Sequence, residues 1–335
     1  LPKIVAEKNI KNSENGDFKM NYQLEIAKLI GQPIDTQLPL PFELAKICDY
    51  DTAEAGEHVW RYSALDTDAD VILQADTTNG AIIVKKRSPL GDTELSFTGL
   101  NSKLDYVLVN DILNSPDTKK LARRKEAIAR GMDKRELKTI ISLIEADNTT
   151  LKPGVDVLDD DPSSGEDLYD AIMSMVHTVE DYGDNFVLLC GSAVKIAIDN
   201  YDKAQAGTLN YRMSIHQMLA DAGIEIVKMF GQVSTVTAET EAAIMNTNHA
   251  ILVAKNSRIS NGSPIKFIRR KINAEIAAQM GADVDKAERA LVIAQAPVNI
   301  AGVNTLGYGV YGFESVCYFI SNPKAIVKAD FTSLV

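Results

Sequence analysis

The chain has 335 residues, of which 45% are hydrophobic, 24% charged and 6% aromatic, a composition that excludes wholesale disorder and leaves room for about two domains. A formal net charge of −11 argues against wholesale coating of nucleic acid, while leaving a local basic patch open. Cys48, Cys190 and Cys317 are an odd set, far apart and without a His at ligand spacing, so they indicate reducing conditions and neither a disulfide framework nor a zinc site.

Residues 1–56 read as an N-terminal arm with little core of its own. The segment is rich in turn residues at Lys11–Asp17 and punctuated by Pro33, Pro39 and Pro41, with a short helix expected from Tyr22 to Leu29. Leu1 in place of Met leaves both a truncated sequence and proteolytic processing open. No run of 18 apolar residues occurs, and the first residues lack a basic-then-apolar signal pattern, so no membrane partner is indicated.

The strongest local signal lies within residues 57–98. Val71–Asp76 and Ala81–Arg87 flank Thr77-Thr78-Asn79-Gly80, and Asn-Gly supplies the two positive-φ residues of a type I′ turn. With Asn79-Gly80 as the loop, Thr78 pairs with Ala81, Ala75 with Val84 and Leu73 with Lys86. One face then carries Val71, Leu73, Ala75, Ile82 and Val84, and the other is mostly polar, with Lys85 followed by Lys86 and Arg87 in the returning strand. A two-stranded ribbon is marginal alone in water, so its apolar face calls for cover from this chain or another one.

A long helix follows. Ser115-Pro116-Asp117 is a start signal, with Ser as N-cap and Pro in the first turn, and helical composition runs to Ala146. Leu137, Ile140, Ile141 and Ile144 share a stripe, while Arg123, Arg124, Arg130 and Lys134 belong to a strongly basic remainder. The polar stretch 147–165, with Pro153-Gly154 and Asp159-Asp160-Asp161-Pro162, reads as a connector. Beyond it, helices over 166–182 and 192–203 alternate with strands at Phe186–Cys190, Ile224–Val227 and His249–Ala254. Strands at Ala290–Pro297, Tyr308–Phe319 and Ala325–Asp330 end the chain. The pattern is α+β.

No phosphate loop, dinucleotide fingerprint, nucleophile elbow or zinc helix occurs. Gly307–Gly312 reads as strand rather than phosphate cradle, the four His are dispersed, and Asp159–Asp161 reads as a solvated acidic loop. No cofactor, metal or catalytic residue is assigned.

The order of elements, with Glu94-Leu95-Ser96-Phe97 leading through Leu104–Leu113 into the helix, and with Tyr308–Val316 and Asn322-Pro323-Lys324-Ala325-Ile326-Val327 closing the chain, resembles the major capsid proteins of tailed bacteriophages, of the Hong Kong 97 type fold. The resemblance implies an extended hairpin loop at 57–98 and a peripheral domain from 99–165 and 301–335 with a spine helix at 115–146. It places a mainly axial domain at 166–300. It further implies a structural subunit, without catalytic turnover, that self-assembles through pentamers and hexamers into an icosahedral shell around double-stranded DNA. The location implied is the virion, after assembly in the bacterial host cytoplasm. Portal, scaffold and decoration proteins are the implied partners, and protease maturation of a procapsid would account for Leu1. Some such proteins join a loop Lys to an Asn; Lys85 and Lys86 lie in the loop, and no acceptor is matched. An encapsulin-like compartment shell shares the expected features, and a cytosolic α/β enzyme with a site on loops near Gly191 and Gly307 is the rival from another class.

Overall fold

The computed structural model describes residues 42–63, 92–102, 105–108, 118–146, 156–158, 165–206, 214–234, 241–257, 262–273, 275, 288–300 and 303–331. Helix α1 (Phe42–Ile47) runs into strand β1 (Cys48–Ala53). Strands β2 (Val59–Ser63), β3 (Asp92–Ser96), β4 (Thr98–Asn101) and β5 (Asp105–Leu108) precede the long helix α2, Thr118–Glu145. The order continues through β6 (Asp156–Leu158), α3 (Gly165–Val179), β7 (Gly183–Cys190), α4 (Ser192–Ala206), α5 (Ile215–Asp221) and β8 (Ile224–Lys228). Strands β9 (Gln232–Ser234), β10 (Glu241–Ala243), β11 (His249–Ser257), β12 (Ile265–Arg270), β13 (Arg289–Ile300), β14 (Val303–Ile320) and β15 (Ile326–Asp330) complete it.

A five-stranded sheet in the order β6-β15-β11-β7-β8 lies at the centre of the core. Its inner strands are buried on both faces, which is why Phe186–Cys190 and Ala250–Ala254 read as unbroken apolar runs instead of alternating ones. Leu188, Cys190, Ala250, Leu252 and Val327 pack under α3, α4 and α5 with Leu168, Ile172, Val194 and Leu219. The opposite face presents Val187, Leu189, Ile251, Val253 and Ile326 to the apolar half of α2, where Leu137, Ile140, Ile141 and Ile144 are buried. Each of those four side chains contributes about 2 kcal/mol through removal from water. Leu44 and Ile47 of α1 join the same core. Residues 42–53, expected within the arm, thus supply a helix and an edge strand to the folded body. The reason is that β1 lies parallel to β12 in full register, from Cys48↔Ile265 to Ala53↔Arg270.

The second sheet is built on β14. Ser315 pairs with both Arg270 and Gly99, and Glu314 with both Arg289 and Leu100, so β12 and β13 share one edge of β14 and β4 occupies the other. Along the shared edge the ladder steps from Ser315 to Glu314 while the chain steps from Arg270 to Arg289. The strand edge thus continues from Arg270 to Arg289 without loss of register, although 18 residues of sequence lie between them. Strand β14 starts earlier than the Tyr308 expected, because β13 pairs along it as far as Ile300↔Val303.

Between β7 and α4 the chain turns at Gly191, whose N–H donates to the His249 carbonyl at 2.9 Å while Ala193 N–H donates to the Thr247 carbonyl at 3.0 Å. A Cβ at Gly191 would lie 2.3 Å from the carbonyl oxygens of Asn246 and Thr247, which are backbone atoms with little freedom to give way. Gly191→Ala is expected to lower stability by about 1–3 kcal/mol, the usual cost of overpacking. Thermal unfolding of the variant checks this, and melting at the wild-type temperature would contradict the close approach.

Candidate functional site

Two features of the β14 sheet carry the functional argument: what it holds on its two faces, and what locks the long helix to it. On one face Ala53, Leu95, Ile268, Cys317 and Phe319 form a small core against Trp60 and Phe97. This core anchors the β2–β3 ribbon, whose register runs from Val59↔Ser96 to Ser63↔Asp92. On the ribbon's outer side Arg61 and Glu94 form an exposed pair at 2.7 Å, which adds little stability. Residues 64–91 of the sequence separate the two strands.

The other face meets α2. Sheet alternation sends Ile265, Phe267 and Arg269 to the side where Val316 and Ile320 also lie, and the uninterrupted register puts Arg289 and Glu314 there too. Ile265, Phe267, Val316 and Ile320 pack on the apolar half of the helix. One turn earlier the helix presents Glu136, a fully buried carboxylate. Arg269 donates to it from Nε at 2.9 Å and from a terminal nitrogen at 2.8 Å. Arg289 reaches the same carboxylate at 2.6 Å and also pairs with Asp133 and Glu314. Glu288 lies 3.9 Å from Arg269 and accepts from the Tyr50 hydroxyl. The Arg269 guanidinium stands over the rings of Tyr50 and Phe267, 5.5 Å from each centroid.

The electrostatics follow from burial. Removal from water, and then the neighbouring Glu314, push the Glu136 carboxyl up to about 8, against the pull of the two guanidiniums. Burial also raises Glu288. Burial opposes charge on Arg289, but Glu136, Glu314 and Asp133 outweigh it and hold the guanidinium above its ordinary value. At the far end of the helix, Glu145 accepts from Asn246 N–H at 3.2 Å and pairs with His249 Nδ1 at 2.7 Å. Partial burial raises Glu145, and the His249 and Asn246 hydrogen bonds more than offset it, leaving the carboxyl below its usual range.

Of the residues singled out in the sequence, Arg130 and Lys134 are exposed on one face of α2, one turn apart. Arg123 and Arg124 lie in the same helix, and their side chains are outside the described residues. Val71, Leu73, Ala75, Asn79, Gly80, Ile82, Val84, Lys85 and Lys86 are also outside them. Gly307 lies inside β14, paired with Ala296 and Leu108, and Gly191 is closed off by backbone, so neither forms the open loop of the enzyme reading. All three cysteines are free and buried, and burial raises their thiols. Among the described residues no cluster of His, Cys, Asp or Glu is suited to a metal ion, and no helix is long and apolar enough to cross a membrane. The buried Glu136–Arg269–Arg289–Glu314 set escaped the sequence reading, although charged residues inside the apolar strand patterns Ile265–Arg270 and Tyr311–Ile320 are its trace.

No protein-family profile and no curated protein matches the chain. Solved structures do. The capsid of an empty GTA particle is 13% identical, with a TM-score of 0.51, covering 90% of this chain and 93% of that one. The capsid of a native GTA particle gives 13% identity and a TM-score of 0.51 over 86% and 89%. The holo-SrpI encapsulin complex of Synechococcus elongatus is similar at 10% identity and a TM-score of 0.46, over 90% and 91%. The chain has an α+β fold of the Hong Kong 97 capsid type.

Replacing Arg269 by Met would leave Glu136 and Glu314 with one guanidinium between them. Breaking a buried pair in this way is expected to cost about 3–5 kcal/mol. Urea denaturation of Arg269→Met checks this; a loss below about 1 kcal/mol would show the network to be uncoupled from the fold.

Proposed function

We propose that this chain is the major capsid protein of a tailed bacteriophage, a structural subunit that assembles through pentamers and hexamers into an icosahedral shell around double-stranded DNA. The observation that carries the reading is the match of nearly the whole chain to a capsid subunit fold. In this reading residues 57–98 are the extended loop, 115–146 the spine helix of a peripheral domain formed by 99–165 and 301–335, and 166–300 the mainly axial domain. Residues 1–56 are the N-terminal arm of this reading, with its last part, Phe42–Ala53, fastened to the body through α1 and β1.

The β2–β3 register supports the loop assignment and sharpens it. Nine residues lie between Ser63 and Leu73, and five between Lys86 and Asp92. If the Asn79-Gly80 turn and the ribbon at its base both hold, the outgoing strand accommodates four extra residues. The acidic stretch Ala64–Asp70 is the place in the sequence for them, since bulges absorb such excess. The tip then offers Val71, Leu73, Ala75, Ile82 and Val84 to a second copy of the chain.

Wild-type protein is expected to form closed shells, and deletion of Ala75–Ile82 to leave soluble capsomers or monomers, as read by sedimentation and negative-stain microscopy. Normal shells from the deletion would sink the loop assignment. Shells that enclose protein cargo in place of DNA would favour the encapsulin reading.

Arg130 and Lys134, with Arg123 and Arg124 in the preceding turns, are proposed to face the packaged DNA, where cations reduce repulsion between an acidic shell and phosphate. Each true phosphate contact removed by a Gln substitution should lower the salt slope of DNA binding by about 1. A quadruple Gln variant whose shells retain DNA with unchanged salt dependence would assign this face to acidic neighbours in the shell.

A further inference from the structure

The buried network holds more acid than base. Four carboxylates, Asp133, Glu136, Glu288 and Glu314, surround two guanidiniums, Arg269 and Arg289. Asp133 and Glu288 keep 29% and 22% of their side-chain surface in water, so solvent can carry part of their charge. Glu136 and Glu314 keep none. One oxygen of Glu314 finds no hydrogen-bond partner among the described residues. An ionised carboxylate oxygen in that position is costly, because the interior offers no water to replace the missing donor.

The groups that face the network come from every element around it. Helix α2 gives Asp133 and Glu136, β12 gives Arg269, and β13 gives Arg289 with Glu288 just before it. Strand β14 gives Glu314, and β1 gives the Tyr50 hydroxyl on Glu288 together with the buried Cys48 thiol. Arg270 faces the opposite side, where it bonds the Ser315 hydroxyl at 3.1 Å. Among the described residues, Arg269 and Arg289 are the cations that pair with the two buried carboxylates.

We propose that the network takes up one proton when the chain folds, so that the joint between the long helix and the β14 sheet tightens on acidification. The proton belongs to the coupled set rather than to a single oxygen. This inference stands on the intrachain geometry and does not rest on the capsid reading.

The sign follows from linkage. A carboxyl whose folded-state value is raised binds its proton more tightly in the folded chain, so its contribution to stability is complete below the ordinary range near 4.5 and is lost as the pH rises towards about 8. Glu288, also raised, acts in the same direction. Glu145 is lowered, so its contribution is lost only as the pH falls below that ordinary range, outside this window.

Two measurements on the full-length chain test the proposal. Infrared spectroscopy of the folded protein at pH 7 should show the carbonyl stretch of a protonated, buried carboxyl group, absent from the unfolded chain and lost in Glu136→Gln or Glu314→Gln. Urea unfolding should show the folding equilibrium constant falling about tenfold or more from pH 5 to pH 8, with that slope strongly reduced in at least one Gln variant. A folded wild-type chain without the band, a band that survives in both variants, or a pH slope unchanged in both would overturn it. Should either variant fail to fold, the presence or absence of the wild-type band decides.

Discussion

The fold depends on how one helix is held against two sheets. Along its second half α2 needs only apolar packing, and Leu137, Ile140, Ile141 and Ile144 supply it between the β11 sheet and the β14 sheet. At Glu136 that packing gives way to charge. The Arg269 and Arg289 forks converge there from two strands that are separated in sequence but continuous in the sheet. Such a network adds little net stability compared with an apolar core of equal volume, yet losing one member leaves a buried charge uncompensated. It therefore fixes register: the helix cannot slide by a turn, nor can the strand after residues 271–288 rejoin β14 one position away, without stranding a charge.

That constraint links the middle and the C-terminal end of the helix to the two sheets. The sheet face opposite the network carries the β2–β3 ribbon, seated by Leu95, Trp60 and Phe97. The helix C-terminus is fastened to the β11 sheet through Glu145, His249 and Asn246. A load applied to residues 64–91 is thus delivered to a sheet that is rigidly joined to the helix, and through the helix to the second sheet. If the chain is a shell subunit, as proposed, such stiffness would keep its contacts with other copies in fixed directions.

Much of this was legible in the sequence, and the exceptions have physical causes. Helices α2, α3 and α4 and strands β7, β8, β11, β14 and β15 announced themselves because apolar period or unbroken apolar runs mark burial directly. Strand β1 did not, since Cys48-Asp49-Tyr50-Asp51-Thr52-Ala53 is largely polar and owes its conformation to pairing with β12. Strand β12 ends in Arg269-Arg270, which reads as surface until Glu136, 133 residues away, is brought to it. Helix α5 is short and set by its Ser214 cap, which accepts from Gln217 N–H at 3.1 Å, more than by any apolar period. Arg130 and Lys134 were recognisable as a basic face because exposure on a helix follows from spacing alone. The ion network was not, because nothing local pairs Glu136 with one arginine rather than another.

In the proposed function, the helix-and-sheet body presents residues 64–91 to another copy of the chain in a closed shell. Cryo-electron microscopy of assembled particles, at a resolution that shows side chains, tests this most directly. The expected result is a closed shell in which Glu136 lies between Arg269 and Arg289 in every subunit and the Asn79-Gly80 turn rests on a neighbouring copy. A discrete soluble protein whose residues 64–91 fold back over its own β14 sheet would contradict it.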